Sequence, residues 1–166
     1  MTGRRAGFAA LAEEAIGLLI ARGETISTAE SLTGGLVAAA LTSVPGSSAA
    51  FRGGVVAYAT DLKAAVLGVS DDLLEQHGAV HPAVAEAMAE GARARMWTTV
   101  GVATTGVAGP DPAEGKPVGT VFIAVAGPGG TVCRELALSG DRDSIRRDTV
   151  ESALNLLAGS LREDIA

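Results

Sequence analysis

Apolar and polar positions along this chain follow two different periods, and the periods alternate. From Phe8 to Arg22, Leu11, Ala15, Leu18 and Leu19 recur at three- and four-residue spacing, one face of an amphipathic helix that Gly23 stops. Thr25 to Ala29 reads as a short strand. After a polar turn the chain is helical again from Leu36 to Leu41, ended by Val44-Pro45-Gly46. Val55 to Thr60 reads as a second strand, with Asp61 as N-cap of a helix through Lys63 to Leu67. Ser70-Asp71-Asp72 opens a further short helix that ends near Gly78, and Pro82 suits the first turn of a helix running to about Met96.

The second half repeats the alternation. Thr98 to Ala103 is a strand that empties into a polar loop, Thr104 to Pro112. Val118 to Ala126 and Val132 to Leu138 are strands joined by Gly127-Pro128-Gly129-Gly130, the signature of a hairpin. The last helix starts near Asp141 and lines Ile145, Thr149, Ala153, Leu156 and Leu157 along its core face. Strands interleaved with helices, with one late hairpin, predict an α/β fold: three α/β/α layers around a mixed, mostly parallel sheet of about five strands. No internal repeat, low-complexity tract or linker interrupts the pattern, so residues 1–166 read as a single domain.

Composition sharpens this picture. The chain is 48% hydrophobic but only 3% aromatic, so its core must be built from Ala, Val, Leu and Ile. Its 22 glycines let elements pack closely and let backbone approach a ligand. A net charge of -6 and so few aromatic rings argue against a nucleic-acid partner. Cys133 is alone, so no internal disulfide forms; it reads as a buried strand cysteine in a reducing compartment. Glu13 and Glu14 interrupt the first apolar run, which does not read as a secretory signal, and no uncharged run is long enough to span a bilayer. A cytoplasmic protein without a membrane partner is the expectation.

Five polar clusters carry candidate chemistry. Ser27-Thr28-Ala29-Glu30-Ser31-Leu32-Thr33-Gly34-Gly35 lies between a strand and a helix, where hydroxyls and free N–H groups favour a phosphate or carboxylate. Pro45-Gly46-Ser47-Ser48 is a serine turn, weak by itself. Tyr58 and Lys63 follow at a strand end and in the next helical turn; a partly desolvated lysine there has a lowered pKa and can act as base toward a serine hydroxyl. Thr104 to Pro112 lies just past a strand, where open α/β sheets bind ligands. Arg142 and Arg146, four apart, share a face at the start of the last helix, where the macrodipole disfavours cations unless an anion or carboxylate is nearby, so they read as a phosphate contact or a surface salt-bridge network. Gly115-Lys116 is followed by Pro117, so it is no P-loop, and no G-x-G-x-x-G follows the first strand. His77 and His81 read as loop histidines rather than metal ligands.

These blocks, in this order, resemble the C-terminal domain of the CinA competence-damage family, which includes stand-alone nicotinamide mononucleotide deamidases. The likeness is carried by Thr28 to Gly35, Pro45-Gly46-Ser47-Ser48 with Phe51, Gly54 to Tyr58 with Lys63, Gly68-Val69 and His77-Gly78-Ala79-Val80. It continues through Thr105 to Pro110, Lys116 to Val121, and Gly140-Asp141-Arg142 with Arg146, and so covers about Leu11 to Leu157. Two departures are Leu32, where many relatives have Cys, and His81, where Ser is common. The resemblance implies hydrolysis of the carboxamide of nicotinamide mononucleotide to nicotinate mononucleotide and ammonia, by a homo-oligomer of three-layer domains without cofactor or metal. The N-terminal domain that often precedes this one in the family is not expected here.

Amide hydrolysis needs a nucleophile, a base that later protonates the leaving ammonia, and donors for the oxyanion. Ser48 is the expected nucleophile, with Lys63 as base and Tyr58 orienting or relaying the proton. Ser31 is the rival; otherwise it holds the substrate with the N–H groups of Thr33, Gly34 and Gly35. Thr105 and Gly106 are assigned oxyanion or ribose contacts, and Arg142 or Arg146 the 5′-phosphate. Two other readings stay open: an amidase of the same scaffold for a different phosphorylated amide, and a non-catalytic nucleotide-binding or regulatory domain.

Overall fold

The first helix, α1 (Thr2–Arg22), leads into β1 (Ile26–Glu30), α2 (Leu36–Thr42) and a 3-10 turn (Ser47–Ala49) before β2 (Phe51–Val56). Three helices follow, α3 (Thr60–Leu67), α4 (Asp71–His77) and α5 (Pro82–Met96), and then β3 (Val100–Gly106). The hairpin of β4 (Thr120–Gly127) and β5 (Gly130–Ala137) precedes α6 (Arg142–Glu163). This computed structural model describes residues 2–163.

Sheet order is β2-β1-β3-β4-β5. β1 is parallel to both β2 and β3, while β4 runs against β3 and β5 against β4. Only β4 therefore points the other way. The parallel pairs need crossovers, and the intervening helices supply them. β1 is buried along its whole length and β3 nearly so, whereas the edge strands β2 and β5 alternate between more and less covered positions.

One core cluster joins α1 and α6, through Ala12, Ile16, Leu19, Leu154 and Leu157, to Ile26, Val102 and Ile123 of the sheet; α2 adds Val37 and Leu41. The other face carries α3, α4 and α5 through Leu67, Leu74, Val84 and Met88, packed on Ala29, Ala103 and Ala124. Small residues set the distance on that side. A Cβ on Gly101 of β3 would overlap the Ala89 carbonyl of α5, and one on Gly91 of α5 would overlap the Leu67 carbonyl of α3. No helix among the described residues is long and apolar enough to cross a membrane.

Several element ends differ from the sequence reading. β2 occupies Phe51–Val56 rather than Val55–Thr60, because Gly53 and Gly54 erase the strand's side-chain alternation while its backbone pairs with β1. Helix α3 then begins at Thr60 with Ala59 as its cap residue and no side-chain cap bond, so Asp61 lies inside the first turn. α1 reaches back to Thr2, and β3 starts at Val100. His77 and His81 are helix ends rather than loop residues: His77 closes α4, and His81 Nδ1 accepts the Ala83 N–H to cap α5. Their rings stack with centroids 4.0 Å apart.

Candidate active site

The carboxyl ends of β1 and β3 lie side by side, with Glu30 opposite Thr104, and Ser31 is the first residue off β1. Its N–H donates to the Thr104 carbonyl at 3.0 Å, which fixes the backbone as an extension of the strand. The turn that follows is locked from beneath. The buried Glu30 carboxylate accepts from Thr33 Oγ1 (2.6 Å), Val37 N (2.8 Å) and Ala38 N (3.1 Å), and so caps α2 from the strand below it. Gly34 and Gly35 both have positive φ, 58° and 102°, which brings the chain round into α2.

Lys63 reaches the same point from α3. Helical side chains lean toward their own N-terminus, so Lys63 lies back over Ala57 and Tyr58. Its Nζ donates to the Ala57 carbonyl at 2.8 Å, the Tyr58 carbonyl at 3.3 Å and Ser31 Oγ at 3.0 Å. The side chain is 1% exposed. Among the described residues no carboxylate contacts the ammonium directly, and burial penalises its charge. The pKa falls from 10.5 to about 8, against an opposing pull from the Glu114 carboxylate. A lysine of this kind becomes a neutral amine as pH rises through about 8, well below an ordinary lysine, beside a hydroxyl it can then deprotonate.

Ser31, Lys63, Tyr58, Thr105, Gly106, Glu114 and Arg142 line one cleft of about 190 Å³. Two larger clefts, about 360 and 230 Å³, lie along α6 and β5, but no lysine or histidine in either is placed to activate a serine. The serine–lysine pair sits in the smaller cleft.

Ser48 is not brought to it. This serine is exposed in the 3-10 turn at the start of β2, whereas Lys63 binds the Ala57 carbonyl just past the end of β2. The six residues of β2 lie between the two, about 20 Å at a strand's rise. Within the chain Ser31, not Ser48, is the serine at the lysine. Tyr58 presents its backbone carbonyl to Lys63, while its hydroxyl accepts from Arg142 at 2.8 Å. That contact does not make it a proton relay to Ser31. Thr33 is fully buried, its hydroxyl shared with Glu30 and with Thr104 at 2.8 Å, so it braces the turn instead of facing the cleft. Thr105 spends its hydroxyl proton on the Ala79 carbonyl at 2.8 Å.

Both arginines reach the site from the start of α6. Arg142 donates to the Gly109 carbonyl (2.6 Å) as well as to Tyr58, and Arg146 donates to the Leu32 carbonyl (2.9 Å) beside the exposed Gly34. The acceptors found for these two cations are carbonyl and phenol oxygens, not the anion or carboxylate that the helix start calls for. Cys133 lies on β5, half-buried, its thiol pushed up to about 11 by burial and by Glu86 and Glu135, which leaves it unreactive.

Residues 8–161 match the family model described as the CinA C-terminal domain. The chain belongs to that family. A CinA-like protein of Frankia casuarinae is 58% identical over 142 residues, which covers 86% of this chain and 33% of that protein. A putative competence-damage inducible protein of Desulforamulus reducens is 49% identical over 145 residues, 87% of this chain and 35% of that protein. The chain thus spans about a third of the length of these curated relatives. A crystal structure of the competence/damage inducible protein CihA from Agrobacterium tumefaciens superposes with a TM-score of 0.89 at 40% identity, covering 94% of this chain and 96% of that one. A CinA superfamily protein from Klebsiella pneumoniae gives a TM-score of 0.90 at 32% identity, covering 94% and 98%. The five-stranded CinA sheet flanked by helices is therefore shared with solved relatives.

Two residues that matter to this CinA domain's site escaped the sequence reading. Glu30 stood in the first cluster without a role, and Glu114 stood in no cluster. Glu30 is revealed by its bonds to the turn and helix that follow it, and Glu114 by partners far away in the chain, the N–H groups of Ala79 and Val80.

Proposed function

We propose that this CinA domain is a serine amidohydrolase in which Ser31 is the nucleophile and Lys63 its base, and that its substrate is the carboxamide of nicotinamide mononucleotide. The observation that carries the reading is the 3.0 Å contact between a buried lysine of lowered pKa and a serine at the carboxyl end of a strand. The substrate follows from the family resemblance together with Arg142 in the cleft and Arg146 bonded to its wall at Leu32.

Neutral Lys63 takes the Ser31 proton as Oγ attacks the carboxamide carbon. The resulting ammonium then delivers that proton to the amide nitrogen, the C–N bond breaks, and ammonia leaves an acyl-serine. Water, deprotonated by the same amine, attacks the ester and releases nicotinate mononucleotide with Ser31 restored. Ser31's own N–H is committed to Thr104, but the N–H of Leu32, which lines the cleft, donates to no protein acceptor among the described residues. It serves as the oxyanion donor of this reading. Arg142 and Arg146 take the 5′-phosphate, exchanging carbonyl partners for phosphate oxygens.

Ammonia release from nicotinamide mononucleotide, measured beside a panel of other phosphorylated amides, tests the assignment. Release that depends on Ser31 and Lys63 and is fastest with nicotinamide mononucleotide supports it. A different preferred amide overturns the substrate. Binding of nucleotide without ammonia release at any pH overturns the enzyme and leaves a binding domain.

A further inference from the structure

The loop of residues 107–119, between β3 and β4, lends Ala108, Ala113 and Glu114 to the cleft, while Ala79 and Val80 lend it the turn between α4 and α5. These two walls belong to different parts of the chain. Glu114 joins them, its carboxylate accepting the Ala79 N–H and the Val80 N–H at 2.9 Å each. We propose that Glu114 is a positioning residue of the Ser31–Lys63 centre, fastening the loop to the Ala79–Val80 turn and holding a negative charge in the cleft toward Lys63.

Three separate features are built around this contact. Glu114 sits at φ 54°, a left-handed conformation that costs a side chain energy and is kept where the surroundings demand it. The Ala113–Lys116 backbone pair closes the tight turn that presents it. On the other side, Gly78 has φ 73°, and a Cβ there would lie 2.6 Å from Glu114 Oε2, so a side chain at 78 would displace the carboxylate from this position. The turn is also held from behind, where Thr105 donates to the Ala79 carbonyl. Ala79 is thus clamped at both its N–H and its C=O.

The charge has a second consequence. Tyr58, Arg142 and Glu114 are the titratable side chains that share the cleft with Lys63, and Glu114 is the one that favours the ammonium. Burial alone would lower Lys63 further. Glu114 therefore raises the pH at which the amine becomes neutral, against the larger effect of burial, a role that rests on Lys63 being the working base.

The chain has two lysines, Lys63 and Lys116. Their 13Cε signals can be followed by NMR in lysine-labelled protein, with Lys116→Arg assigning the pair. Wild-type Lys63 should titrate near 8. In Glu114→Gln its midpoint should move to lower pH, and the Ala79 and Val80 amides should exchange about tenfold faster or more, the loss expected for charge-assisted hydrogen bonds. Glu114→Asp keeps the charge but shortens the reach, so the midpoint should stay while those two amides exchange faster. The acid limb of kcat/KM in Glu114→Gln should follow the lysine to lower pH, a gain that a merely weakened fold does not produce. An unchanged midpoint together with unchanged exchange in Glu114→Gln overturns the proposal. If that variant does not fold, wild-type exchange at Ala79 and Val80 in Glu114→Asp overturns it. Neither NMR readout needs turnover, so a chain that hydrolyses no amide refutes the amidase reading and still decides this one.

Discussion

Lys63 Nζ and Ser31 Oγ, 32 positions apart in the chain, meet at 3.0 Å because β1 and α3 end and begin at the same edge of the sheet. Ser48, closer to Lys63 in sequence, is held off by the length of β2.

That contrast gives the first prediction. Ser31→Ala should lower kcat for ammonia release by roughly 10⁴-fold or more, the scale of losing a nucleophile. Ser48→Ala should keep turnover within a few-fold of wild type. Steady-state assays on the two purified variants separate them.

The rate should also follow the lysine. Only neutral Lys63 accepts the Ser31 proton, so kcat/KM should rise with pH through an apparent midpoint near 8 and level off above it. A pH profile with no limb in that region would point to another base.

Stability carries the same signature with a definite sign. Folded Lys63 holds its proton less tightly than the unfolded chain, so between about 8 and 10.5 the unfolded state binds more protons and stability rises with pH. Cys133 acts the other way. Its thiol is raised from 9.0 to about 11, so its contribution falls as pH climbs through that interval. In a Cys133→Ser background, urea unfolding should show a gain on the order of 2 kcal/mol from about pH 7.5 to about pH 10. Lys63→Met should lack that gain.

Glu30→Ala should be costly although the residue touches no substrate. It strips three hydrogen bonds from a buried carboxylate position and leaves the Val37 and Ala38 N–H groups unpaired, while the Thr33 hydroxyl keeps only Thr104. A loss of about 2 kcal/mol or more is expected in denaturant unfolding. Glu30→Gln should recover part of it.

Close packing offers a purely structural check. Gly91→Ala places a methyl on the Leu67 carbonyl and must push α5 away from α3. A destabilisation of about 1–3 kcal/mol should appear in thermal unfolding. The exposed, uncrowded Gly129→Ala should change stability little.

Much of the fold was legible because its signals are local. Pro82 and Met96 bound α5 as the pattern predicts, Pro128-Gly129 turns the β4–β5 hairpin, and Ile145 to Leu157 face the core of α6. β2 was misplaced because Gly53 and Gly54 carry no side chains to show a period. The site was half legible. The Ser31 turn and Lys63 were marked by residue type, but which serine meets the lysine depends on strand register and crossover, which no local pattern encodes. Glu114 was invisible for the same reason: its partners are backbone N–H groups more than thirty positions away.

The most direct test of the account is to quench the reaction with nicotinamide mononucleotide in acid during turnover and map the acylated peptide by mass spectrometry. The account predicts a nicotinoyl-nucleotide ester on Ser31, absent in Ser31→Ala. An adduct on Ser48, or wild-type turnover by Ser31→Ala, would contradict it.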